Sequence, residues 1–393
     1  MNTHEFDDKS ILIWGYGREG RSTEEFLKTA CRPKKIEIFE GKKEEIREEL
    51  YDLIIKSPGI VMEEDDPKVT SQTEIFLKAH RKNTIGITGT KGKSTTSAML
   101  YHVLRECLDR KVILLGNIGE PCLNHYEEMS EDAVAVFEMS CHQLAHTKVS
   151  PHIAVFLNLF EEHLDYYGTF EKYARAKRNI TLYQDDTDVL YLGENLDIST
   201  AAKTVVISRD QVADYDLQVL GEHNDYNAEF VCRIATEQFG IQKDKVLESL
   251  KGFTGLPHRL QLLGEKDGIF YYDDSISTIP SATISALRSV DNAYSVLIGG
   301  MDRGIHYEEL TDFVRAHPEY AYIFMYESGQ RIYRELQELQ NCCFEQDLAA
   351  AVERAKRITP QGKACILSPA AASYGYFKNF EERGERFRAY VGL

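Results

Sequence analysis

Gly86-Ile-Thr-Gly-Thr-Lys-Gly-Lys-Ser94 follows a strand-like apolar run and opens a helix-like one. A glycine-rich turn in that position lets backbone N–H groups converge on phosphate oxygens, while a lysine adds a point charge and a hydroxyl reaches Mg²⁺. The strict eight-residue phosphate-loop pattern needs glycine at 87, where this chain has Ile87, so the match is to the shorter form Gly89-x-x-Gly92-Lys93-Ser94-Thr95. Gly89, Thr90, Lys91, Gly92, Lys93, Ser94 and Thr95 are therefore expected to hold nucleotide phosphates. The bland alternative is a strand-to-helix turn rich in small residues.

Working outward, Val136-Phe-Glu-Met-Ser140 puts Glu138 at the carboxyl end of a strand, the edge where open parallel sheets bind ligands. Asn158-Leu-Phe-Glu-Glu-His-Leu-Asp165 follows the next run and offers His163. Glu138 and His163 are candidate metal ligands beside the phosphates, although such loops are more often solvated surface. Lys177 lies on an amphipathic helix whose charges all suit solvent. Asn224 and Asn227 stand three apart on another helix and can read an adenine edge, with capping the plainer role for Asn224. Arg259 follows a Gly- and Pro-bearing hinge at 251–257 and can fork onto phosphate. Asp273-Asp-Ser275, Gly299-Gly-Met-Asp-Arg-Gly304 and Ser368-Pro-Ala-Ala-Ala-Ser373 each follow a strand-like run.

Toward the N-terminus, Gly15-Tyr-Gly-Arg-Glu-Gly20 closes the first apolar run and Glu40 ends the second. That spacing is similar to a dinucleotide fingerprint, but alone it licenses only a helix N-terminus facing an anionic group. Strand-like runs at 84–88, 111–115, 133–137, 152–157 and 187–192 form a second α/β unit, and runs at 269–272, 294–298, 321–325 and 364–367 a third. A chain of 393 residues suits two or three domains. A formal charge of −17 argues against a sequence-independent hold on nucleic acid or anionic membrane. The eight cysteines show no C-x-x-C and read as reduced core thiols. No 18-residue apolar stretch and no basic leader followed by an apolar run is present, so a cytoplasmic enzyme is expected.

Taken in order, GTKGKST, GNIG at 116–119, FEMS at 137–140, NLFEEHLDYYG at 158–168, YARAK at 173–177, GEHNDYN at 221–227, LPHR at 256–259, DDS at 273–275, GGMDRG at 299–304 and LSPAAAS with FKNFEERG resemble the Mur ligases over nearly the whole chain. Within that family the blocks are most similar to the branch that adds D-glutamate to UDP-N-acetylmuramoyl-L-alanine. The resemblance implies three α/β domains: a Rossmann-like domain at 1–82 for the UDP substrate, a P-loop ATPase-like parallel sheet at 83–253, and a Rossmann-like domain at 254–393 for the amino acid. It implies ATP-driven peptide-bond formation through an acyl phosphate, two Mg²⁺ ions, and a monomer acting on small molecules in peptidoglycan precursor synthesis.

Residue by residue, the resemblance assigns catalysis to Lys93, His163, Lys177 and Arg259, with Ser94, Glu138, His163 and a carbamylated Lys177 at the metals. Asn224 and Asn227 match adenine contacts, Arg259 a γ-phosphate contact and Asp274 a ribose contact. Gly15, Tyr16, Gly17, Glu40 and Ser57 fall in the UDP domain, and Asn117, Ser140 and Gln143 face the muramoyl-peptide. Thr278, Arg303, Ser373, Tyr374 and Phe380 fall where the amino acid sits. Three departures stand out: Ile276 replaces a lysine, Arg303 replaces another, and the N-terminal region is short. Rival readings are a ligase adding L-glutamate or another amino acid, a folylpolyglutamate-synthase-like ligase, an NAD-dependent oxidoreductase using the Gly15–Gly20 turn, and a catalytically silent nucleotide-binding protein.

Overall fold

The computed structural model describes residues 3–62, 64–219 and 221–393. Its strands form three sheets. β1 (Ser10–Trp14), β2 (Lys35–Phe39), β3 (Leu53–Lys56) and β4 (Val69–Thr70) run parallel in the order β2-β1-β3-β4. β5 (Thr84–Thr88), β6 (Val112–Gly116), β7 (Val134–Glu138), β8 (Ile153–Phe156), β9 (Val189–Gly193) and β10 (Lys203–Ile207) are parallel in the order β10-β9-β8-β5-β7-β6. β11 (Gln261–Lys266), β12 (Ile269–Asp273), β13 (Ala293–Ile298), β14 (Ala321–Met325), β15 (Cys342–Glu345) and β16 (Ala364–Leu367) follow the order β11-β12-β16-β13-β14-β15. Here β11 alone is antiparallel.

Buried central strands are the ones whose apolar runs announce them. β5, β7, β8 and β14 are buried at every position, as strands covered on both faces must be. The strands that the sequence reading passes over are mostly edges: β4, β10, β11 and β15 alternate or expose polar residues. The third sheet is consequently not wholly parallel, because β11 returns as a hairpin arm on β12.

The chain divides into two compact units, Met1–Leu217 with Glu222–Gly252, and Gln218–Gly221 with Phe253–Leu393. The first contains the first two sheets and a core that runs through both, from Phe6, Ile13 and Phe26 to Phe137, Phe156 and Leu192. The second is built on the third sheet, with one apolar cluster including Leu287, Val296 and Phe324 and another including Tyr271, Leu297 and Phe387. No described helix is long and apolar enough to cross a membrane.

Candidate active site at the phosphate loop

In the first unit, β5 delivers the loop at its carboxyl end, between β7 and β8 where the strand order departs in both directions. Such a switch point opens a crevice in a doubly wound sheet. The helix Lys93–Cys107 starts directly from the loop, and its cap Gly92 has φ +83°. A Cβ at Gly92 would stand 2.8 Å from Asn227 Oδ1, so both backbone conformation and space require glycine. The N–H groups from Gly92 to Thr95 open the helix without i−4 acceptors and face the crevice end. Ser94 and Thr95 are partly exposed there.

Asn158, which sequence reasoning quoted but did not single out, fixes the rest of the loop. Its Oδ1 accepts from the N–H of Thr90 at 3.0 Å and of Lys91 at 2.8 Å, and its Nδ2 donates to Lys91 O at 3.0 Å. Two loop amides are thereby engaged, which narrows the anion cradle to the helix start and the lysines. Thr90 Oγ1 accepts from Phe160 N–H at 2.9 Å and pairs with Tyr173 Oη at 3.0 Å. Lys91 Nζ sits 2.7 Å from Glu162 Oε1 at the loop's exposed side.

Two lysines, one half-buried and one buried, meet at one carbonyl. Lys93 Nζ donates to Gly89 O at 3.0 Å and Thr90 O at 2.9 Å, and Lys177 Nζ donates to the same Gly89 O at 2.7 Å. Lys177 is 1% exposed, not the surface lysine that its helix pattern suggests. Tyr173, one turn earlier, lies 5.0 Å beneath its ammonium, so both belong to the helix's inner face. Burial, and then the neighbouring charge of Lys93, bring the pKa of Lys177 down to about 7. Burial lowers that of Lys93 as well.

Glu138 ends β7 directly beside Ile87 of β5. It is fully buried; Oε1 accepts from Asn117 Nδ2 at 2.9 Å, while Oε2 has no hydrogen-bond partner. An orphaned buried carboxylate oxygen beside a phosphate loop suits a cation. His163, at φ +57°, keeps its side chain 45% exposed, with Nε2 3.9 Å from Glu162 Oε2. Among the described residues no group of three or more His, Cys, Asp or Glu side chains converges as a preformed metal cage. Oxygen ligands beyond Glu138 would come from the Ser94 hydroxyl, phosphate, water or a modified Lys177.

Asn224 and Asn227 are both buried and joined by a 3.2 Å hydrogen bond. Because their helix spans Glu222–Phe239, Asn224 lies inside it, and the capping role does not hold. Asn227 reaches Gly92, which brings this pair to the phosphate loop.

Asn117, Ser140 and Gln143 line one cleft of about 240 Å³ with Glu19, Pro58, Gly59, His142 and Tyr166. Ser140 caps the short helix Cys141–Leu144 in a reciprocal arrangement with Gln143. Gln143 Nε2 donates to Glu19 Oε1 at 2.8 Å. Glu19 is a second residue missed from sequence; burial raises its pKa. Gly15, at φ +91°, and Ser57 meet through Ser57 Oγ donating to Gly15 O at 2.7 Å. Tyr16 Oη donates to Glu24, Gly17 caps the helix Arg18–Ala30, and Glu40 is exposed just beyond β2.

In the second unit, Arg259 is exposed beside His258, whose Nδ1 pairs with Asp273 Oδ2 at 2.7 Å. Asp274 is buried and internally engaged: Oδ1 accepts from Leu260 N–H at 3.1 Å, and Oδ2 from the hydroxyls of Ser368, at 2.7 Å, and Ser277. Burial raises its pKa to about 6. Arg383, also missed, is fully buried and donates to Ser275 Oγ, Ser275 O and Ala371 O at 2.7–3.0 Å. Arg303 is exposed, its Nη2 3.5 Å from Thr278 O. Ser373 is buried, Tyr374 is 61% exposed, and Phe380 starts the last helix and accepts from Ser275 Oγ at 2.8 Å.

This is the layout of an α/β protein that binds a nucleotide at a phosphate loop. Residues 87–205 match the Mur ligase middle domain. The UDP-N-acetylmuramoylalanine–D-glutamate ligase of Streptococcus agalactiae is 34% identical, across 97% of this chain and 96% of that protein. The UDP-N-acetylmuramoyl-L-alanine–L-glutamate ligase of Salinispora tropica is 30% identical across 98% of each. The MurF ligase of Thermotoga maritima, solved with ADP, superposes with a TM-score of 0.62 at 15% identity, over 99% of this chain and 96% of that one. The chain belongs to the Mur ligase family. It is an ATP-dependent ligase of peptidoglycan precursor synthesis.

Proposed function

We propose that this enzyme joins D-glutamate to the alanyl carboxylate of UDP-N-acetylmuramoyl-L-alanine. Residues 1–82 would hold the UDP end, 83–253 ATP and 254–393 the amino acid, with the protein acting as a cytoplasmic monomer. The observation that carries the reading is the meeting of half-buried Lys93 and buried Lys177 at Gly89 O, with the buried carboxylate of Glu138 on the neighbouring strand, in a chain 34% identical to a D-glutamate ligase over nearly its whole length.

The chemistry follows from charge. The acceptor carboxylate takes the γ-phosphoryl group, and the amine then displaces phosphate. Negative charge spreads over the phosphoryl oxygens, and Lys93 and the helix N-terminus oppose it; the family resemblance assigns a like task to Arg259. Mg²⁺, two ions by family resemblance, would be held by Glu138, Ser94, His163 and a carbamylated Lys177, and would supply further charge neutralisation. Neutral Lys177 Nζ adds to the carbon of CO₂ and loses a proton, leaving an anionic oxygen-bearing group. Its pKa near 7 makes the neutral amine available for that step.

The test is phosphate release with UDP-N-acetylmuramoyl-L-alanine and a panel of D- and L-amino acids. D-glutamate is expected to give the highest kcat/KM. The L-glutamate reading draws on the Salinispora relative and on Ile276, which stands where the resemblance expects a lysine. A clear preference for L-glutamate would establish it, and equal rates with alanine would overturn the glutamate assignment. Intact-mass measurement under CO₂ should show a labile addition at Lys177; Lys177→Ala should be inactive and respond only to short carboxylic acids.

A further inference from the structure

The loop Gly299–Gly304, which presents Arg303, is held from behind by the helix Tyr326–Arg334. Ser328 Oγ, from that helix, accepts from Gly300 N–H at 2.9 Å and donates to Gly300 O at 3.0 Å. Met301 N–H donates to Ala372 O at 2.9 Å, tying the loop to the segment that ends at Ser373. The position of this loop is thus fixed by backbone contacts, without need of a charge.

A charge contact is nevertheless present. Arg331, on the same helix, places Nη2 2.9 Å from Asp302 Oδ1 and Nε 2.7 Å from Asp302 Oδ2. The first is an aligned hydrogen bond; the second is a close ion pair out of line for one. Nη2 also donates to Ile305 O at 2.8 Å, and the guanidinium lies 4.9 Å over the Tyr307 ring. Gly304 N–H donates to Asp302 Oδ1 at 2.9 Å. Asp302 is therefore occupied on both oxygens, while its neighbour Arg303 is exposed and, among the described residues, its guanidinium has only the long contact to Thr278 O.

We infer that Arg331 is a positioning and specificity-determining residue: by sequestering the Asp302 carboxylate, it keeps the adjacent Arg303 guanidinium available for the side-chain carboxylate of the incoming amino acid. The inference rests on the proposed role of Arg303 in binding that carboxylate. Its physical basis is competition. An Arg303 facing an unengaged Asp302 pairs with it, and a ligand carboxylate must then displace an ion pair instead of meeting an open fork. Arg331 also leaves the loop with a net positive charge, as Asp302 is balanced once and Arg303 remains in excess.

The experiment is steady-state kinetics of the full-length enzyme with glutamate, ATP and the UDP-linked substrate varied in turn. Arg331→Met should raise the KM for glutamate about tenfold or more, with kcat and the KM for ATP changed less than twofold. Asp302→Asn should change the glutamate KM little. The double variant Arg331→Met with Asp302→Asn should recover most of the loss, because no carboxylate is left to capture Arg303. Arg331→Lys, which keeps charge without the two-point contact, serves if Arg331→Met does not fold. A glutamate KM that stays high in the double variant, or stays normal in Arg331→Met, overturns the inference. Arg303→Ala separates this from the underlying reading: if it leaves the glutamate KM unchanged, Arg303 does not bind the carboxylate and the proposed amino-acid site fails first.

Discussion

Lys177 shows how much one residue's meaning depends on its surroundings. Its ordinary pKa of 10.5 falls to about 7 inside the protein. Between those values the unfolded chain holds a proton that the folded chain has released, so stability climbs as pH rises from 7 toward 10.5. Lys177→Met lacks that dependence. In CO₂-free buffer, the stability of the parent relative to this variant should rise by about 3 kcal/mol between pH 7 and pH 10. Urea unfolding at the two pH values checks it, and parallel pH slopes would mean that the lysine keeps its proton when buried. Asn158 acts on the same loop through hydrogen bonds alone. Asn158→Ala releases the amide of Lys91 and the carbonyl of Lys91, and leaves the amide of Thr90 only its bond to the backbone carbonyl of residue 158, so it should raise the KM for ATP about tenfold while leaving the glutamate KM alone. An unchanged ATP KM would mean that the loop holds its shape without this side chain.

Among the elements, the helix Arg18–Ala30 packs so closely on the turn after β1 that a Cβ at Gly20 would stand 2.2 Å from Gly15 O. The obstacle is backbone and cannot swing aside. Gly20→Ala should therefore destabilise the protein by about 1–3 kcal/mol despite alanine's better helix propensity. Thermal or urea unfolding reads this directly, and a stabilised variant would refute the close approach. The helix Phe170–Leu182 works by the opposite device. Its inner face carries Tyr173 and Lys177 one turn apart, so the element that packs the sheet also delivers the lysine to Gly89 O.

For the whole molecule, a formal charge of −17 opposes the approach of ATP and of a UDP-linked substrate. Attraction must come from local features, the lysines and helix start at the loop, which act within about one Debye length, roughly 8 Å at physiological salt. Screening then weakens the long-range repulsion more than the contact attraction. kcat/KM for ATP at saturating Mg²⁺ should hold level or rise as KCl goes from about 10 to about 150 mM. A steep fall would point to a positive surface field that this composition does not supply. Within the second unit, Arg383 holds the Ser275 and Ala371 segments from a fully buried position, where burial works against its charge and lowers its pKa while Asp273 and Asp274 partly offset that cost. Arg383→Met should cost about 3–5 kcal/mol, measured by urea unfolding, because the carboxylates lose the cation they were buried with.

The sequence by itself determined the parallel central strands, the phosphate loop at the end of one of them, and Glu138 at the end of its neighbour. Each is a local signal: an apolar run, a glycine spacing, a carboxylate directly after a strand. It left out β4, β10 and β15, because short half-exposed edges carry no continuous apolar pattern, and β11, whose partner in the hairpin sets its direction. Only the tertiary structure decided that Lys177 is buried. A lysine on an amphipathic helix reads as solvent-facing until the sheet beneath it is known, and its lowered pKa exists only through that burial and through Lys93. Asn158, Glu19, Arg331 and Arg383 were likewise unreadable, since an amide, a carboxylate or a guanidinium has no period. Their roles come from partners 12 to 124 positions away, such as Ala371 for Arg383, Asp302 for Arg331 and Gln143 for Glu19. Contacts at such separations are set by how sheets and helices pack, a quantity that composition and spacing along the chain do not contain.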